Sequence, residues 1–276
     1  MPNLYTDLLC LQTIPDAFSR WEPYRQQLTR VILERTAPGS TALIVGAGRC
    51  NDFDLNRLKE HFSAITLLDR DLYAMEEGIA LQEAAIPHDR LKRIDVIGIP
   101  DDTYTAIADR MTAGILPALR SGDPGADRFT EAFLHEIDTA WQNRDPDMMN
   151  MPGPVADYVI CCGVHSQLMT IFPQMAGIFR RYVRMDVGAV HSLVRSMIPD
   201  AVRALNAALF RWAGKGVLIG LEEKRIGMEG AIDGAWQAAQ DLAARGLSDP
   251  GSEVLTWPFD VSQEKQYAIR ISLFRM

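Results

Sequence analysis

The apolar run Thr41-Ala42-Leu43-Ile44-Val45 passes directly into Gly46-Ala47-Gly48, and this junction constrains the fold more than any other stretch. Five residues without polar alternation read as a strand buried on both faces, as in parallel sheets covered by helices. The glycines allow a tight turn and a close backbone approach to a ligand. Residues 52–62 follow with Phe53, Leu55, Leu58 and Phe62 on one side, a helical pattern, and Ala64-Ile65-Thr66-Leu67-Leu68 is a second apolar strand ending in Asp69. Asp69 stands 21 positions beyond Gly48, where a carboxylate accepts hydrogen bonds from a ribose diol. Asp71 is the alternative contact at the same turn.

The same alternation continues along the chain. A leading helix is expected over 21–36, helices over 73–85 and 101–119, and a third strand over 93–97. A fourth strand fits Asp157-Tyr158-Val159-Ile160-Cys161-Cys162, followed by helical patterns over 166–182 and 187–212, the latter breaking at Pro199. A fifth strand over 215–221, a helix over 232–245 and a hairpin from 252–259 and 266–274 complete the reading. The βαβαβα order predicts a doubly wound, mostly parallel α/β sheet. Residues 1–40 form a helical extension and 41–276 one ligand-binding domain. Its helical insertion at about 121–154 contains a helix over 127–141 and the Met148-Met149-Asn150-Met151 stretch, and reads as a mobile cover or partner surface.

Composition narrows the function. With 276 residues, 47% hydrophobic and 23% charged, the chain is an ordinary globular one. Its net charge of −8 repels phosphate backbones and anionic lipid, so neither nucleic acid nor membrane is an expected partner. No apolar run is long enough to span a bilayer, and the first residues lack the pattern of a signal peptide, so a cytoplasmic location is expected. The four cysteines, Cys10, Cys50, Cys161 and Cys162, have no CxxC spacing; reduced thiols are expected, with no disulfide framework and no metal site.

A βαβ unit of this kind holds a dinucleotide or S-adenosylmethionine. The dinucleotide fingerprint needs a third glycine and a helix N-terminus free to meet a diphosphate. Here Asn51 stands where that glycine belongs, and Asp52 and Asp54 are expected in the first helical turn, where they satisfy the dipole and repel phosphate. A ligand carrying an ammonium and a sulfonium suits the site better, while Arg49 can serve either a carboxylate or a phosphate.

Through Ala42-Leu43-Ile44-Val45-Gly46-Ala47-Gly48, Ile65-Thr66-Leu67-Leu68-Asp69 and Asp157-Tyr158-Val159-Ile160-Cys161-Cys162-Gly163-Val164, the sequence resembles class I S-adenosylmethionine-dependent methyltransferases. The resemblance runs from about residue 36 onward. It implies a seven-stranded Rossmann-like sheet with an antiparallel terminal strand, and S-adenosyl-L-methionine as cofactor. It also places Gly46, Ala47 and Gly48 under the methionine part, Asp69 and Arg70 at the ribose, Asp95 and Val96 at the adenine, and Cys162 and Gly163 beside the sulfonium. The third glycine of the family's first motif is absent. The fourth motif is not of the Asn/Asp-Pro-Pro-Tyr type, which lowers the expectation of nucleic-acid or glutamine methylation.

Methyl transfer from a sulfonium needs approach geometry and desolvation more than acid–base help. Where the acceptor carries a proton, His165, just past the fourth strand, is the candidate base, its other reading being a histidine that caps or packs at the helix entry. His191, Asp186 and Glu222 are weaker candidates. Tyr5 and Trp21 either close over the site or belong to the core. The expected partner is a small-molecule methyl acceptor, with the oligomeric state open. The alternatives are a nicotinamide-dependent oxidoreductase and a non-catalytic binding module on the same fold.

Overall fold

The computed structural model describes residues 14–121, 128–145, 151 and 153–276. Seven strands form one sheet in the order β3-β2-β1-β4-β5-β7-β6. They are β1 (Thr41–Val45), β2 (Ala64–Asp69), β3 (Leu91–Arg93), β4 (Ala156–Cys162), β5 (Ala213–Arg225), β6 (Glu253–Asp260) and β7 (Lys265–Arg275). The pairs β1·β2, β1·β4, β2·β3 and β4·β5 are parallel, and β7 runs antiparallel to both of its neighbours. The expected fold class, a doubly wound and mostly parallel seven-stranded sheet with an antiparallel terminal strand, is the fold observed.

Helices cover both faces, as a sheet of continuous apolar strands requires. Ala42 and Ile44 point to the side of α1 (Glu22–Arg35), α2 (Leu55–His61) and α3 (Leu72–Leu81). Leu43 and Val45 point to the opposite layer of α4 (Asp101–Ser121), α5 (Arg128–Gln142), α6 (Ile171–Phe179), α7 (Val187–Trp212) and α8 (Ala235–Ala244). β1 therefore contributes alternate residues to two separate cores, and its end at Val45 is fixed by packing from both sides.

Several sequence expectations are corrected. The helix after the glycine turn starts at Leu55, so Asp52 precedes it and Asp54 is its N-cap, accepting from the Arg57 N–H at 3.1 Å. Only 91–93 pair as the third strand; residues 94–97 leave the sheet. α7 runs unbroken through Pro199, its buried residues continuing on both sides of the proline from Val190 to Trp212. The insertion is not merely a cover: α5 buries Phe129, Phe133, Ile137, Ala140 and Trp141 in the core on its side of the sheet. Its Met148, Met149 and Asn150 lie outside the described residues, as do Tyr5 and Cys10. No helix among the described residues is long and apolar enough to cross a membrane.

Candidate functional site

The carboxyl ends of β1, β2 and β4 open into a cleft of about 270 Å³. Gly46, with φ 71°, leaves β1 so close to β4 that an added Cβ would stand 2.2 Å from Val164 Cγ2. No other residue type fits there without movement. Gly46 and Ala47 donate to the Leu68 carbonyl at 2.8 and 3.2 Å, and Gly48 donates to Asp69 Oδ2 at 2.8 Å. Asp69 Oδ1 accepts from the Asp71 N–H at 2.9 Å. The acid ending β2 thus ties the glycine turn to its own loop. Burial pushes its carboxyl above the usual value, although the two N–H bonds and Arg70 oppose the shift.

The turn just before Asn51, which stands in place of the third glycine, is held locally. Cys50 itself takes a left-handed φ of 52°, and the Gln82 side chain bridges the turn to α2 by donating to the Cys50 carbonyl at 2.9 Å and accepting from the Leu55 N–H at 3.0 Å. Asp71 caps α3 by accepting from the Ala74 N–H at 2.9 Å.

The chain leaving β3 forms one wall through Ile94, Asp95, Val96 and Ile97. Buried Asp95 accepts from the Ile97 N–H at 2.8 Å and from the Tyr104 hydroxyl at 2.9 Å, so its carboxylate is locked in place while still lining the cleft. Leu168 and Met169, beyond β4, supply further apolar surface. Sequence reasoning named Asp95 and Val96 but missed Ile94 and Ile97 as cleft wall, because the run 94–97 looks like strand.

The lining carries four carboxylates, Asp52, Asp69, Asp71 and Asp95, against the guanidinium groups of Arg49 and Arg70. Arg49 is already paired with Glu77 at 2.7 Å. The cleft is therefore a place for a cation and a poor one for a diphosphate. At its far end stand Trp21, Asp52, Cys162, Gly163, Trp257 and Phe259. Burial, reinforced by the charge of Glu222, pushes the Asp52 carboxyl up to about 7 against the pull of Arg25. Burial raises Glu222 as well, despite the hydrogen bond that it accepts from Ser166. Trp257 and Phe259 lie more than 200 residues from Trp21 in sequence, and the indole N–H of Trp21 donates to the Phe259 carbonyl at 3.2 Å across a separation of 238 residues. No local pattern announces that meeting.

Gly46, Ala47, Gly48, Asp69, Arg70, Asp95, Val96, Cys162 and Gly163 all line the cleft. His165 does not. It is 1% exposed, its Nε2 meets Asn206 Oδ1 at 2.9 Å, and Asn206 donates in turn to Asp241 Oδ2 at 2.8 Å. Burial lowers its pKa to about 4. Asp186 caps α7 by accepting from the Ala189 N–H at 3.0 Å, and His191 is exposed on the same helix. Cys50, Cys161 and Cys162 are free and buried. Among the described residues no group of three His, Cys, Asp or Glu is placed to hold a metal ion.

No protein-family model and no curated protein matches the sequence. Solved structures resemble it. The N-methyltransferase NodS from Bradyrhizobium japonicum WM9, in complex with S-adenosyl-L-homocysteine, is 12% identical, with 99% of this chain and 98% of that chain covered and a TM-score of 0.47. Magnesium protoporphyrin IX methyltransferase from Synechocystis PCC 6803 is 10% identical, with 93% and 83% covered and a TM-score of 0.46. The methyltransferase domain of bacterial CtHen1 is 12% identical, with 92% and 99% covered and a TM-score of 0.43.

Proposed function

We propose that the protein binds S-adenosyl-L-methionine in this cleft and transfers its methyl group to a small-molecule acceptor. The observation that carries the reading is the acidic lining around a glycine turn that is braced on Asp69. Asp69 keeps lone pairs for ribose hydroxyls, and Asp95, with Val96 and Ile97 beside it, accepts from an exocyclic amine while the apolar wall covers the ring. Gly46, Ala47 and Gly48 lie under the methionine part, with Cys162 and Gly163 at the sulfonium. Asp52, with Oδ1 buried and unpartnered, suits a cationic neighbour.

When bound, the cofactor supplies an electrophilic methyl carbon on a leaving group that needs no protonation. The residues supply position and the exclusion of water. His165 has no place in this step, since its ring is turned to Asn206; its role is to hold the β4 exit loop. The nicotinamide reading is disfavoured by the carboxylates and by Asp54, whose side chain already caps the helix that a diphosphate would need. The net charge of −8 likewise disfavours a nucleic-acid acceptor.

Thermal melting tests the reading directly. A ligand at about 100 times its dissociation constant stabilises the native state by roughly 2.7 kcal/mol, so S-adenosylmethionine and S-adenosylhomocysteine should raise the melting temperature, with NAD and NADP leaving it unchanged. A response to NAD alone ends the proposal. Conversion of S-adenosylmethionine on adding acceptor mixtures separates the enzyme from a binding module that merely retains the ligand.

A further inference from the structure

Beside the proposed sulfonium position the cleft ends in a cluster of aromatic rings. The Trp257 ring lies 5.1 Å from Trp21, 4.9 Å from Phe259 and 5.8 Å from Tyr24, centroid to centroid. Two carboxylates share this cluster without an ion pair. Glu222 is 4% exposed; its Oε1 accepts from the Ser166 hydroxyl at 2.5 Å, and its Oε2 is buried with no partner. Asp52 Oδ1 is also buried without a partner. Arg25, the cation whose charge reaches Asp52, spends its Nη1 on the Phe18 and Asn51 carbonyls at 2.5 and 3.1 Å.

Gly163 connects these groups to the cleft. An added Cβ there would stand 3.2 Å from the Trp257 ring and 3.8 Å from Glu222 Oε1, so indole and carboxylate both flank a residue that lines the ligand space. The charges of Asp52 and Glu222 also sense each other and the Tyr24 hydroxyl, itself buried and unpartnered.

A buried carboxylate without a partner is relieved either by taking a proton or by meeting a cation, and aromatic faces attract ammonium groups. We propose that this end of the cleft recognises an ammonium group on the methyl acceptor, held against Trp257 and its neighbouring rings by Asp52, with Glu222 adding its charge from behind Gly163. The acceptor class is then an amine. The inference rests on the methyl-transfer reading for the word acceptor, while the recognition itself rests on the residues alone. Asp52 has a second use: an ammonium must lose a proton before its nitrogen has a lone pair to share, and the Asp52 carboxylate, which lines the cleft, can take that proton.

The test uses the whole chain and two probe pairs of matched shape, benzylamine against benzyl alcohol and n-butylamine against n-butanol, titrated calorimetrically into protein saturated with S-adenosylhomocysteine. The amines should bind about tenfold or more tightly than the alcohols. Glu222→Gln should weaken that preference at least about threefold and leave S-adenosylhomocysteine affinity within about twofold of wild type. Should Glu222→Gln fail to fold, Asp52→Asn is read for the amine preference alone. Equal affinities for amine and alcohol would overturn the inference. So would competition between amine and S-adenosylhomocysteine, which would give the cluster to the ligand's own ammonium. If S-adenosylhomocysteine does not bind at all, the methyl-transfer reading fails separately, and the amine preference of the free protein still decides this one.

Discussion

Val164 Cγ2 occupies the space that a Cβ on Gly46 would need, at a separation of 2.2 Å. The exits of β1 and β4 are thus in contact at the floor of the cleft. Gly46→Ala should destabilise by about 1–3 kcal/mol for the overpacking, with about 1–2 kcal/mol more for forcing a side chain into the left-handed region. Adding Val164→Ala should restore the first part and leave the second. Urea denaturation of the three proteins checks this; identical midpoints for the single and double variants would show that the contact does not limit the turn.

Asp69 joins two backbone donors with two oxygens, and asparagine has only one oxygen to offer. In Asp69→Asn, either Gly48 or Asp71 must face an amide NH2, donor to donor. A loss of about 1–3 kcal/mol in stability is expected, together with a roughly 10- to 100-fold weaker S-adenosylhomocysteine affinity. Calorimetry well below the melting temperature separates the two effects. An unchanged affinity would shift the ribose contact to Asp71.

Two buried groups pull stability in opposite directions with pH. His165 is held neutral by burial, its pKa lowered from 6.5 to about 4. Acidification through that window protonates the unfolded chain first, so this contribution to stability is lost as pH falls from 6.5 towards 4. Asp52 is raised from 3.8 to about 7, so its contribution is complete below 3.8 and lost as pH rises through 7. Asp69 and Glu222, also raised by burial, act in the same sense as Asp52. Over the shared window the slopes oppose, and wild-type stability should vary less with pH than that of Asp52→Asn, which should fall more steeply on acidification. Denaturation midpoints measured between pH 4 and 6.5 decide it; parallel curves would show that Asp52 does not titrate there.

Phe133 tests whether the insertion is part of the core. Its ring is fully buried and meets Phe179 edge-on at 5.5 Å. Phe133→Ala should cost about 3–5 kcal/mol. Leu116, 49% exposed on α4, is the control, and its replacement by alanine should stay within about 0.5 kcal/mol. Thermal melts that fail to separate the two variants would return α5 to the role of a loose cover.

The strands nearest the cleft were legible because their burial on both faces writes an unbroken apolar run; β1 has the expected bounds for this reason. The same rule misled at 94–97, where the apolar side chains line the cleft after pairing has stopped at Arg93. Pro199 was misleading too, since a proline removes one hydrogen bond from the helix while tertiary packing on both sides of it, which sequence does not encode, carries α7 through. Asp69 was marked by its place at a strand end. Glu222 was named only as a weak candidate, and its partnership with Asp52, Trp21 and Trp257 arises from segments far apart in the chain.

β7 follows every other strand in sequence yet lies between β5 and β6. Until it arrives, the 13 residues of β5 present an unpaired edge, and Trp257 has no Tyr267 beside it. During synthesis the nascent chain therefore carries a long adhesive border for as long as residues 265–275 remain in the ribosome, a window in which it is open to misassociation and suited to chaperone capture. The ring cluster at the end of the cleft is likewise finished only when β7 is in place, because Trp257 joins the sheet through it.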